Sequence, residues 1–195
     1  MTIKKLTLMA ILTAIALIIF IIEAQIPLPV PVPGVKLGLA NAVTLFALFY
    51  GVGKAKDTAE PFPCVHGIAG QARNDGGVAT GFTVANVLAI LLCRIVLGAI
   101  FTGRPVAILY SLAGGLLGFA AQVIMKRFVT AKQIWVCGAV GAVFHNIGQI
   151  AAAMLITGTP AIVVYLPVLV IAGVSTGALT GFIAQFTLER LPKNS

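Results

Sequence analysis

Pro27-Leu-Pro-Val-Pro-Val-Pro-Gly-Val-Lys-Leu-Gly-Leu-Ala-Asn41 separates two long apolar runs and decides how the chain must fold. Proline at every second position from Pro27 to Pro33 has no amide hydrogen to donate and a fixed φ, so no helix can pass through. Gly34 permits a sharp turn, and the apolar run that follows opens on a cation, Lys36, with an amide, Asn41, about one helical turn later. The expectation is a second helix from Lys36 to about Gly53 whose first turns hold something polar.

The surrounding chain shows what kind of helices these are. Hydrophobic residues make up 59% of the 195 and charged residues 9%, and the mean hydropathy is +1.08. That leaves too little polar surface for a water-soluble fold of this size and marks an integral membrane protein. Crossing a hydrocarbon core of about 30 Å takes roughly 20 helical residues, and apolar windows of about that length lie near 6–26, 36–53, 84–103, 106–125, 134–156 and 161–186. The windows are continuously apolar rather than alternating, which excludes a strand barrel and leaves an all-α bundle of about six transmembrane helices. The first window follows Lys4 and Lys5 like a signal peptide, but its apolar part is too long and no small-x-small cleavage site follows, so it is expected to be retained.

The formal charge of +8 is distributed by side rather than by patch. With the N-terminus in the cytoplasm, Lys4, Lys5, Lys54, Lys56, Arg73, Lys126, Arg127, Lys132, Arg190 and Lys193 fall inside, and only Lys36 and Arg104 fall outside. This is the positive-inside bias, so both termini are expected in the cytoplasm and the surplus calls for no nucleic acid. The polar segment from Lys54 to Phe82 has neither periodicity nor apolar mass, and is expected to be a cytoplasmic loop within a single domain spanning 1–195. Cys64, Cys93 and Cys137 are odd in number and without paired spacing, so neither a disulfide nor a metal site is expected.

Polar groups inside the apolar windows nominate a site. Arg94 stands about ten residues from either end of its helix, where a charge is costly unless it faces the bundle interior or a wet cavity. On the fifth helix His145 and Gln149 stand four apart and Asn146 and Gln149 three apart, giving the three one wide face. Lys36, Asn41, Arg94, His145, Asn146 and Gln149 are therefore the candidate ligand-binding residues. Gly173, Gly177 and Gly181, at four-residue steps, read as a helix-packing face, and Ala10 and Ala14 permit close approach to the first helix.

Four stretches together resemble a bacterial membrane family labelled heptaprenyl diphosphate synthase component I, also called the Gx transporter family: Pro-Gly-Val-Lys-Leu-Gly-Leu-Ala-Asn at 33–41, Arg94-Ile-Val-Leu-Gly98, Ser111-Leu-Ala-Gly-Gly115 and Gly141-Ala-Val-Phe-His-Asn-Ile-Gly-Gln149. That family is similar to the substrate-binding S components of energy-coupling factor (ECF) transporters. The resemblance implies six helices in the bacterial inner membrane, a bound nutrient, and docking through small residues of the first helix, Ala10 and Ala14, on a transmembrane T component with its ATPases. Against the family pattern, residues 58–83 are an insertion.

The enzyme label implies another partner, a soluble prenyl diphosphate synthase subunit. Such synthases hold magnesium diphosphate with clustered carboxylates, whereas Glu23, Asp57, Glu60, Asp75 and Glu189 are this chain's only acids and no two are adjacent. No catalytic residue or cofactor is therefore expected. A phosphate-binding Gly-x-x-x-x-Gly-Lys-Ser/Thr loop is also missing from the sequence, so any ATP hydrolysis falls to a partner. Glu23 apart, the helices contain cations, amides and an imidazole but no acid, so a ligand bearing a carboxylate, phosphate or other electron-rich group is expected; a membrane scaffold without a ligand is the remaining alternative.

Overall fold

A computed structural model describes residues 3–26, 36–50, 82–103 and 106–190. Six α-helices follow one another: α1 Ile3–Glu23, α2 Asn41–Tyr50, α3 Val84–Thr102, α4 Val106–Met125, α5 Ile134–Thr157 and α6 Leu166–Arg190, with 3-10 turns at Ala131–Gln133 and Pro160–Tyr165. No strand occurs among the described residues. The proline run and most of the 58–83 insertion lie outside them.

Five helical segments are long and apolar enough to span a bilayer. Their outward faces carry Ile100 at 69% exposure, Leu155 at 85% and Ile171 at 70%, more apolar surface than water tolerates on a monomer and the surface that lipid requires. On α1, Leu12, Ala16, Phe20 and Glu23 turn inward along one side. Ala10 and Ala14 lie on its exposed side.

The second helix differs from its expected form. It starts at Asn41 rather than Lys36 and its described length is ten residues, about 15 Å at 1.5 Å per residue, half a hydrocarbon core. Lys36 to Gly38 are non-helical, because Gly38 sits at φ +83°, a conformation that breaks a right-handed helix and that glycine adopts without penalty. Six spans thus become five long helices and one short one. The sixth window also divides, into a 3-10 turn and α6.

The short helix is the hub. It touches α1, α3, α4, α5 and α6, and seven of its ten residues are buried. Around it the contacts run from α1 to α3, α4, α5 and α6 and back through α2, with Leu45, Ile90, Leu91 and Ile95 at the centre of the main apolar cluster.

Glycines set the tightest helix contacts, as the four-residue ladder implied. A Cβ on Gly177 would stand 2.6 Å from the Gly138 carbonyl oxygen, and one on Gly118 would stand 2.8 Å from that of Gly141. Backbones at this separation leave room for hydrogen only.

A helix end buried in a bundle needs partners for its last carbonyls. Lys126, just beyond α4, donates from Nζ to the Leu48 carbonyl at 2.6 Å and lies 5.5 Å from the Phe49 ring centroid, a cation placed where the helix dipole favours one. Burial brings its ammonium down from 10.5 to about 8. Between these values the unfolded chain holds a proton that the folded chain has released, so this residue makes stability rise with pH across that window, and its burial penalty is full below about pH 8. Lys126→Met should lower stability by about 1–3 kcal/mol through the orphaned carbonyl and flatten the rise above pH 8, both measurable by thermal unfolding in detergent.

Candidate functional site

Glu23 ends α1 with its side chain inside the bundle, 4% exposed. Its Oε1 accepts the backbone N–H groups of Gly38 and of Leu39, the latter at 3.1 Å. The non-helical segment 36–40 leaves main-chain donors without helical partners inside the bundle, where water is scarce, and such donors must be satisfied by protein. A carboxylate meets two of them at once. The third is the Lys36 N–H, which donates to Gln149 Oε1 on α5 at 3.0 Å. Two side chains from distant helices thus hold this strap across the bundle.

The strap covers a cavity of about 10 Å³ lined by Phe20, Glu23, Lys36, Gly38, Arg94, Ser111, His145 and Gln149. That is about the space of one water. The Lys36 ammonium lies 3.0 Å from the Phe20 ring centroid, in cation–π range. Arg94 crosses from α3 and donates through Nη2 to Asn41 Oδ1 at 3.1 Å, tying the first residue of α2 to the cavity wall. The Glu23 carboxylate feels the charges of both Arg94 and Lys36. His145 and Gln149 meet at 2.9 Å, Nε2 to Nε2.

Small residues let these groups converge. A Cβ on Gly38 would stand 3.0 Å from His145 Cδ2 and 3.2 Å from Asn41 Nδ2, and one on Gly114 would stand 2.7 Å from Gln149 Cγ. Polar capacity remains open here: Asn41 Nδ2, Arg94 Nε, Ser111 Oγ and His145 Nδ1 are buried without a hydrogen-bond partner among the described residues.

Of the six nominated residues, Lys36, Arg94, His145 and Gln149 line the cavity, and Asn41 adjoins it through Arg94. Asn146 turns the other way. Its Nδ2 donates to the Leu169 carbonyl of α6 at 2.6 Å, passing over Gly173, where a Cβ would stand 2.5 Å from that nitrogen. The residues that sequence reasoning passed over are Glu23, Phe20 and Ser111. Glu23 was detectable as the one acid within the apolar windows of the sequence; Phe20 and Ser111 had no signal that set them apart from core and packing residues.

The family described as heptaprenyl diphosphate synthase component I matches residues 12–57 and 78–187. The chain belongs to that family. No curated protein and no solved structure matches it. The family match contains every cavity-lining residue and leaves out 58–77, which falls within the insertion expected at 58–83. The family's name carries no acidic cluster with it into this cavity: among the described residues no group of three or more His, Cys, Asp or Glu stands close enough to hold a metal.

Glu23→Ala should orphan the Gly38 and Leu39 amides at about 1–3 kcal/mol each, and Gly38→Ala should cost about 1–2 kcal/mol for its left-handed φ. Thermal unfolding of both variants in detergent checks this; an unchanged midpoint for Glu23→Ala would show that the strap is held by something else.

Proposed function

We infer that this family member is a membrane-embedded binding protein for a small molecule carrying a carboxylate or phosphate, working as an ECF-type substrate-binding component in the bacterial inner membrane. The observation that carries the reading is the convergence of Lys36, Arg94, Ser111, His145 and Gln149 on one buried cavity. Polar groups at such depth are costly, and they mark ligand pathways in membrane proteins. Two cations and one carboxylate line the cavity, a formal balance of one positive charge that suits an anion. The cavity has room for about one oxygen atom of a ligand, so entry requires the strap to open, breaking the bonds to Glu23 and Gln149, and recognition requires it to close again over the ligand's acceptor group.

With both termini in the cytoplasm, Lys36 and the strap face outward, as uptake requires. The partner in this reading is a transmembrane T component with its ATPases. Ala10 and Ala14, side by side on the exposed face of α1, offer the close approach such a partner needs.

The family's description favours a second reading, a non-catalytic membrane subunit that accepts a lipidic product from a soluble prenyl diphosphate synthase. The two differ in partner and in cargo. A synthase that co-purifies and needs this chain for activity supports the second; a co-purifying T component with ATPases supports the first.

Native mass spectrometry of the protein purified from its membrane tests the binding reading. The expected result is a retained small anion, lost by at least tenfold in Arg94→Ala and weakened in Lys36→Ala with membrane insertion unchanged. Retention of lipid alone, or an equal yield of ligand from both variants, would contradict it.

A further inference from the structure

Gln149 occupies a position where its two amide atoms have no choice of role. A backbone N–H can only donate, so the atom of Gln149 that faces Lys36 N at 3.0 Å is its oxygen. The NH2 group then faces His145 Nε2 at 2.9 Å, and since an amide NH2 can only donate, that ring nitrogen accepts. An accepting Nε2 places the imidazole proton on Nδ1. The orientation of the amide and the tautomer of the ring are both dictated by one main-chain hydrogen on the strap.

The consequence reaches the cavity. Nδ1 makes no hydrogen bond of normal geometry among the described residues, although the ring also lies near the Gly114 backbone carbonyl, and the other open nitrogens nearby, Arg94 Nε and Asn41 Nδ2, are also donors. We propose that Gln149 is a positioning residue that reads the place of the strap and holds His145 as the Nδ1–H tautomer, so that the closed site offers hydrogen-bond donors to an acceptor-only group, a carboxylate or phosphate oxygen. This rests on the binding reading for its ligand class, whereas the tautomer rests on the Lys36–Gln149–His145 chain of hydrogen bonds. Displacing the strap removes the Lys36 N–H from Gln149, frees the amide to rotate and releases the ring to exchange tautomers. The site therefore presents its full set of donors only when the strap is in place, which links closure to recognition of the ligand.

Nitrogen-15 NMR of histidine-labelled protein in lipid nanodiscs reads this directly. The chain has two histidines, so a His66→Asn background leaves His145 as the sole signal. The expected spectrum near pH 7 shows one neutral form with a protonated Nδ1 and an unprotonated, hydrogen-bonded Nε2. Gln149→Leu should bring in the Nε2–H form, and Lys36→Pro, which deletes the strap hydrogen and leaves Gln149 in place, should do the same. A protonated Nε2 in the unaltered ring would overturn the proposal, as would an unchanged tautomer in folded Gln149→Leu protein. The first measurement needs no substitution in the site, and none of the three depends on whether a ligand is retained in the mass spectrometer.

Discussion

Main-chain hydrogen bonds buried inside an apolar bundle are the constraint on which this structure depends. Where water is scarce a backbone N–H without a partner is expensive, so most membrane chains solve the problem by staying helical. Here Lys36 to Gly38 are not helical, yet they lie inside the bundle, and the side chains of Glu23 and Gln149 replace the missing helical acceptors. The same two side chains stand in the cavity wall. Closing the fold and building the site are therefore one event, and a ligand that enters past the strap breaks bonds that hold the bundle together and that closure restores.

That substitution also explains why α2 can start as late as Asn41. The described part of α2 spans about 15 Å, and five helices surround it. Its first residue is tied to Arg94 and one of its last carbonyls is capped by Lys126. Glycine contacts between α4, α5 and α6 bring α5 close enough to its neighbours for His145 and Gln149 to meet the strap. Packing with no side chain in the way and a polar centre with many are complementary features of the same helix.

Much of this was legible in the residues. Membrane embedding, the all-helical class and five of the helices follow from apolar windows that admit one backbone solution in lipid. The glycine ladder announced a close-packing face on α6, though not that α5 would be its partner. Arg94, His145 and Gln149 stood out because a polar group in an apolar window needs a reason. The start of α2 was not legible, since hydropathy continues unbroken through Lys36-Leu-Gly-Leu-Ala and only tertiary bonds to Glu23 and Gln149 show that the chain is unwound there. Asn146 illustrates a limit of helical spacing: residues three and four apart share a broad face, but Asn146 sits toward its edge, where α6 supplies an acceptor in Leu169. Ser111 was hidden for the opposite reason, being a small residue in a stripe of small residues whose role in the wall depends on which helix crosses it.

The claim that the strap is built into the bundle by side chains is tested most directly by amide hydrogen exchange, resolved to single residues, in lipid nanodiscs. The account predicts that the amides of Lys36, Gly38 and Leu39 are protected to a degree comparable with the interior of α2, because each lies inside a buried hydrogen bond. Exchange of these three amides at the rate of an open loop, with α2 itself protected, would contradict it.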